Sequence, residues 1–346
     1  MNKRTVILLS VLVVSLVAYL LVRRNSLSTM DPKLSEYGVK DTQSIDKIFI
    51  SNNDNSGNAT LIKQPNGVWR INNKFDAGSY KVSSLLSVLH NIEIKSPVGK
   101  ENMEVVLKEL ILNGRKVEIY KKGTLYKTLY VGSSTEDMLG TMMYIKDDKT
   151  PYIIHIPGWN GYVTPYFRTD EKLWRSKEVF SDISENIAKI RVEWLETPQG
   201  SFEIDNTGPR PAILPLNGPE NIAINKNILK AYLNQFTSLS YDDFPFNLSA
   251  FQIDSIYKTK PYVIISLTDK TGKTTIMAIY HKGIQIDTYT KEDENGLPLP
   301  YERDNYYAFV NNNAKEILQI QEFVFGKVMK DYSYFFESNS SKPQLN

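Results

Sequence analysis

The chain opens on an unbroken apolar run. Thr5–Val22, TVILLSVLVVSLVAYLLV, holds 18 residues without a charge; as a helix rising ~1.5 Å per residue it spans about 27 Å, close to a hydrocarbon core of ~30 Å. The run ends in Leu20, Leu21 and Val22 before Arg23 and Arg24, not in the small residues of a cleavage site, so the reading is an uncleaved signal anchor rather than a removed signal peptide. Lys3 and Arg4 precede it and Arg23 and Arg24 follow. The amino-terminal charges, with the α-amino group, are taken to stay in the cytoplasm, which places the body of the chain in the periplasm.

Residues 25–43 carry Ser, Asn, Asp, Pro and Gly38 without periodicity and are expected to form a tether. Beyond it the pattern changes to short segments of period two separated by turn residues, interrupted by two helical stripes. Val82, Leu85, Leu86, Leu89 and Ile92 recur at i, i+3, i+4, i+7 and i+10, and Leu229, Tyr232, Leu233, Phe236 and Leu239 recur at the same spacing.

The stripes belong to a longer correspondence. Ile45, Lys47 and Ile48 of SIDKIFIS are answered by Ile187, Lys189 and Ile190 of NIAKIRVE. Asn66-Gly67 and Asn217-Gly218 are each expected to turn a hairpin. KVEIYKKGTLYKTLYVG and YVIISLTDKTGKTTIMAIY both read as strands about a Gly-bearing turn, and MYIKDDKTPYIIHI matches AFVNNNAKEILQI. The expected fold class is therefore α+β, a tandem duplication of a strand-rich unit with a mostly antiparallel sheet and one packed helix. The first copy is placed at 44–180, the second at 181–336, and a disordered tail at 337–346.

Charge and cysteine content narrow the function. With 41 basic and 39 acidic residues, and four of the basic ones beside the apolar run, the body has no field suited to nucleic acid. The absence of cysteine excludes disulfides, thiolate nucleophiles and Cys-ligated metals.

Candidate chemistry is sparse. DKTGKTT, Asp269–Thr275, ends like a phosphate-binding loop but has Leu267 where the first Gly is required and runs strand to strand, so it is read as a hairpin turn. His90, His155 and His281 are too dispersed for a metal site, and no cofactor is expected. Glu136-Asp137, Asp170-Glu171 and Asp242-Asp243 are adjacent acids suited to capping and turns, and sequence does not bring any pair across a cleft. Trp69 is expected in the core and Trp174 in the connector between the copies. The segment HIPGWNGYVTPYF, His155–Phe167, concentrates aromatic residues: Trp159, Tyr162 and Tyr166, with Asn160 beside them, form either a structural corner between the copies, a contact for a partner protein, or a platform for a sugar ring. Pro157-Gly158 is expected to break the strand and Asn160-Gly161 to make the turn.

Taken with the anchor and tether, VKDTQSIDKIFI, GVWRIN, VGSSTEDMLGTMMYI, HIPGWNGYVTPYF and LWRSKEVF resemble the bacterial envelope family known as domain of unknown function 4340, in the form found in Bacteroidota. The resemblance covers nearly the whole chain, best from 36 to 195, and implies a membrane-anchored envelope protein encoded near ABC-transporter components of the gliding type. The expectation is a non-catalytic, single-pass inner-membrane protein whose periplasmic body is an interaction or accessory subunit of an envelope complex. The alternative is a periplasmic glycan- or cell-wall-binding module or hydrolase.

Overall fold

The computed structural model describes residues 37–336 except 55, 147, 149, 221–223, 246–247, 286–287 and 289–290, together with Ser15 and Leu16. The expected anchor, apart from those two residues, and the expected tail lie outside the described residues. Among the described residues no helix is long and apolar enough to cross a membrane. The chain divides into two compact units, Met1–Ser176 and Lys177–Asn346.

The first unit contains β1 (Ile45–Asn52), β2 (Asn58–Lys63), β3 (Trp69–Ile71), β4 (Phe75–Asp76), α1 (Ser79–Asn91), β5 (Glu93–Pro97), α2 (Met103–Asn113), β6 (Arg115–Lys121), β7 (Thr124–Ser134), β8 (Thr141–Ile145), β9 (Tyr152–His155) and the short α3 (Glu171–Trp174). Its nine strands form one antiparallel sheet in the order β4-β3-β2-β1-β6-β7-β8-β9-β5. The helical stripe explains how the sheet is covered: Val82, Leu85, Val88 and Leu89 of α1 are buried in one core with Ile48, Ile50, Leu61, Val117, Ile119 and Leu129. Burying a side chain of this size stabilises by about 1.5–3 kcal/mol relative to leaving it in water. Trp69 packs partly buried at the edge of this core.

The second unit contains β10 (Glu178–Phe180), β11 (Ile187–Trp194), β12 (Phe202–Asp205), β13 (Ala212–Pro215), α4 (Lys226–Leu233), β14 (Leu239–Ser240), α5 (Ala250–Tyr257), β15 (Val263–Asp269), β16 (Thr274–His281), β17 (Asn305–Val310), β18 (Leu318–Gln321) and α6 (Glu322–Phe325). Seven strands pair antiparallel as β13-β12-β11-β15-β16-β17-β18, and β10, placed in the first repeat by the sequence, pairs with β14 of this unit. The second stripe is buried throughout, Leu229, Tyr232, Leu233, Phe236 and Leu239 all lying in the core. The architecture is thus mixed α+β with antiparallel sheets. DKTGKTT is the turn between β15 and β16, where the Asp269 carboxylate accepts from the Thr271 and Lys273 amides at 2.8 and 3.0 Å.

Two expectations need correction. Each unit has a second helix, α2 and α5, beyond the one expected: Met103, Val106, Leu107 and Leu110 of α2 recur at i, i+3, i+4 and i+7 and turn inward, but only Leu110 of α2, and no residue of α5, is fully buried. The tether expected at 25–43 does not extend through Tyr37 and Val39, which are 1% and 0% exposed; Val39 donates its amide to Leu89 at 2.7 Å and the Tyr37 hydroxyl donates to the Met143 carbonyl at 3.3 Å, and residues 25–36 lie outside the described residues. Asn66-Gly67 turns β2 into β3, with Gly67 at φ 85°; Asn217-Gly218 follows β13, with Gly218 at φ 102°, and residues 221–223 of its expected second arm lie outside the described residues.

Candidate functional site

The aromatic segment is built as it leaves β9. The hydrogen-bonded turn is Ile156–Trp159, in which the Trp159 amide donates to the Ile156 carbonyl at 3.1 Å; Pro157 presets its first corner and Gly158, at φ 76°, supplies the left-handed second one. Asn160-Gly161, expected to make this turn, does not. Gly161 has a different reason to be glycine: a Cβ there would come within 2.5 Å of the Trp159 indole, which lies against its backbone.

Beyond Gly161 the chain is tied to the sheet. Val163 and Phe167 are both 0% exposed in the first core. The Val163 amide donates to the buried Thr141 hydroxyl at 2.8 Å, and the Thr164 hydroxyl donates to the Gly132 carbonyl at 2.7 Å. Thr164–Tyr166 forms one 3-10 turn, whose carbonyl end is held by Arg115 Nη1, donating to Thr164 and Phe167 at 2.7 and 2.9 Å. Asp170 then caps α3 by accepting the Lys172 amide at 2.9 Å. Trp174 is 2% exposed and its indole donates to the Arg168 carbonyl at 2.8 Å. The turn of chain is therefore anchored by Val163, Phe167 and Trp174, with Tyr166 packed half-buried against the same core, Tyr162 half-buried and Trp159 exposed.

Those rings converge with the start of α1 on a cavity of ≈ 590 Å³, lined by Trp159, Tyr162, Tyr166, Tyr80, Lys81 and Arg168 among others. Trp159 is 39% and Tyr80 82% exposed. Of the four sequence candidates, Trp159, Tyr162 and Tyr166 come together here, whereas Asn160 is exposed and does not line the cavity. Tyr80, Lys81 and Arg168 join them without a signal in the sequence pattern. Tyr80 and Lys81 lie just ahead of Val82 on α1, and a stripe shows which residues face inward, not what stands opposite the others.

The electrostatics are one-sided. No carboxylate lines the cavity, while Lys81 and Arg168 both do; Lys81 Nζ also donates to the Arg175 carbonyl at 3.0 Å. Burial, and then the nearby Arg168 charge, lower the pKa of the Arg115 guanidinium from its ordinary value. Such a surface offers flat apolar faces and hydrogen-bond donors, and no carboxylate.

Titratable groups elsewhere stay local. Asp137 accepts from Thr135 and Leu139 within its own turn, and Asp242 and Asp243 accept from Gln319 and Phe244. His90 Nδ1 lies 2.9 Å from the Lys40 carbonyl. His281 stacks on Tyr301 with centroids 4.3 Å apart and faces Glu196 at 3.4 Å. Burial raises the neighbouring Tyr262 and Tyr306 phenols. Among the described residues there is no group of three or more side chains placed to hold a metal ion.

No curated protein and no solved structure matches the chain. A family model matches residues 69–262, a stretch that begins in β3, contains the whole aromatic segment and ends just before β15. That match covers more than half of the sequence, and the chain belongs to the family described as Domain of unknown function (DUF4340).

Proposed function

We propose that this protein is a non-catalytic recognition subunit of an envelope complex, anchored in the inner membrane by Thr5–Val22 with its body in the periplasm, and that the aromatic cavity receives its partner. The observation that carries the reading is the cavity's composition: rings from two distant stretches of chain converge with two cations and no carboxylate. Recognition needs complementary shape, apolar area and fixed donors; hydrolysis of a glycan needs two facing carboxyl groups. Residence beside ABC-transporter components, and the Bacteroidota-type membership, come from the family resemblance and form part of the proposal.

A second reading, a glycan-binding module without hydrolase activity, is favoured by the exposure of Trp159 at the cavity, since indole and phenol faces suit the C–H surface of a sugar ring. Affinity capture of the full-length chain from its native membrane, beside a Trp159→Ala/Tyr162→Ala variant checked for fold by circular dichroism, separates these readings. A membrane-complex partner lost in the folded variant supports the subunit; retention on peptidoglycan lost in the same variant supports the module. Unchanged capture of both by the variant removes the cavity from either role.

We infer also that the two units descend from one duplicated folding unit. Supporting this, the central strand of each carries the same one-residue irregularity at the same sequence position, between Ile45 and Lys47 against β6 and between Ile187 and Lys189 against β15. A bulge re-aims a strand and is a specific device. Each unit also runs central strand, hairpin, striped helix, short strand, second helix, then two hairpins.

A further inference from the structure

A second cavity, in the other unit, is lined by charged side chains rather than by rings. It encloses ≈ 460 Å³ and is lined by Arg210, Lys226, Lys230 and Lys270, with Glu185 as its one acidic residue. The four cations come from three places: Arg210 from the turn between β12 and β13, Lys226 and Lys230 from successive turns of α4, and Lys270 from the turn between β15 and β16. Leu229 and Leu233 of α4 also line it and are 1% and 3% exposed.

The frame around these charges is fixed. The Asn206 side-chain amide donates to the Ser184 and Ile187 carbonyls at 3.0 and 2.9 Å, tying the β12–β13 turn to the start of β11. The Lys270 amide donates to the Asn186 carbonyl at 2.8 Å, tying the β15–β16 turn to the same stretch. The Asn225 side chain accepts from the Asn227 and Ile228 amides at 3.0 and 3.3 Å and so sets the start of α4.

General basicity does not account for this grouping, because the chain has 41 basic and 39 acidic residues. In the same unit Lys189 and Arg191 pair with Glu203, and Lys282 pairs with Glu302. Among the described residues none of the four cavity cations makes an ion pair. Like charges gathered around one concavity repel one another unless an anion enters.

We propose that this cavity binds a phosphate group carrying two or more negative charges. Arg210 supplies the planar fork that matches phosphate oxygens in pairs, and the three lysines supply point charges about it. The source is either a lipid phosphomonoester headgroup or a free phosphate or diphosphate. This cavity shares no residue with the aromatic one, and phosphate binding here does not depend on what the aromatic cavity receives.

The test is calorimetric titration of the full-length protein in a neutral detergent with two probes, inorganic pyrophosphate and dihexanoyl phosphatidic acid. A variant carrying Lys226→Gln, Lys230→Gln and Lys270→Gln is compared with one carrying Lys100→Gln, Lys108→Gln and Lys122→Gln. The exposed positions leave the fold in place, checked by circular dichroism. The expected result is binding that weakens by about tenfold or more as salt rises from about 50 to about 200 mM, is lost in the cavity variant and is kept in the control. Binding of both probes, or of pyrophosphate alone, assigns the phosphate group itself; binding of the lipid alone assigns a headgroup. Absence of binding by either probe, or equal affinity in both variants, overturns the proposal.

Discussion

Arg115 and Thr164 stand on opposite sides of the aromatic segment's attachment: the guanidinium at the start of β6 donates to the Thr164 carbonyl at 2.7 Å and to Phe167 at 2.9 Å. These bonds close the carbonyl end of the 3-10 turn that positions Tyr166 at the cavity. A hydrogen bond to a charged group contributes about 1.5–3 kcal/mol. Arg115→Ala is expected to lower the stability of the first unit by about that amount, read as a shift in the urea midpoint without a change in slope. Arg115→Lys should recover only part of it, because an ammonium lacks the fixed fork.

Gly161→Ala tests the packing of Trp159 on the backbone. The added Cβ would meet the indole at 2.5 Å, so the ring has to leave its present place while Val163 and Phe167 keep the segment docked. The expected outcome is an unchanged far-ultraviolet spectrum, a red-shifted Trp emission, and loss of partner capture comparable to that of Trp159→Ala.

The pH dependence has a defined acid limb at Glu118. Burial alone would raise its carboxyl, but the Lys116 ammonium at 2.5 Å and the Tyr120 hydroxyl at 2.7 Å outweigh this and hold it below the ordinary range. A value lower in the folded than in the unfolded chain means that the stabilisation is complete above the unfolded value of about 4.3 and is lost as pH falls through the folded one. Urea midpoints of Glu118→Gln, measured from neutral to acid pH, should therefore start lower than those of the parent and fall less steeply below about pH 4.

Tyr232 serves as a marker for the second unit. Its buried hydroxyl donates to the Val328 carbonyl at 2.8 Å, and its ring meets Phe202, Phe236 and Phe335 edge-on. Tyr232→Phe keeps the ring contacts and strands the carbonyl, which costs about 1–3 kcal/mol. Hydrogen exchange should register that loss in the amides of β11, β12 and β15 and leave those of β1, β2 and β6 as they were.

The sequence carried the helical stripes and hairpins well because both arise from a period that one face of an element imposes. Leu85 and Leu229 are buried for the reason their spacing gives. It carried α2 less plainly: Met103, Val106, Leu107 and Leu110 do recur at helical spacing, but Val105, Ile111 and Leu112 stay exposed beside the buried Leu110 and blur the edge of that stripe. Pro157-Gly158 and Asn160-Gly161 are both good turn chemistry, and only the hydrogen bond from Trp159 to Ile156 shows that the first pair makes the turn. The cavity was half legible. Trp159, Tyr162 and Tyr166 lie in one short stretch, whereas Tyr80, Lys81 and the four cations of the second cavity are brought into place by tertiary packing.

The central claim, that the aromatic cavity is where a partner is received, is tested most directly by placing a photoreactive residue at Tyr80, on the cavity, and separately at Tyr126 on β7, in the full-length protein in its native membrane. One discrete cross-linked species is expected from position 80, absent from position 126 and abolished by Trp159→Ala. Equal cross-linking from both positions, or a species at position 80 indifferent to Trp159→Ala, would contradict it.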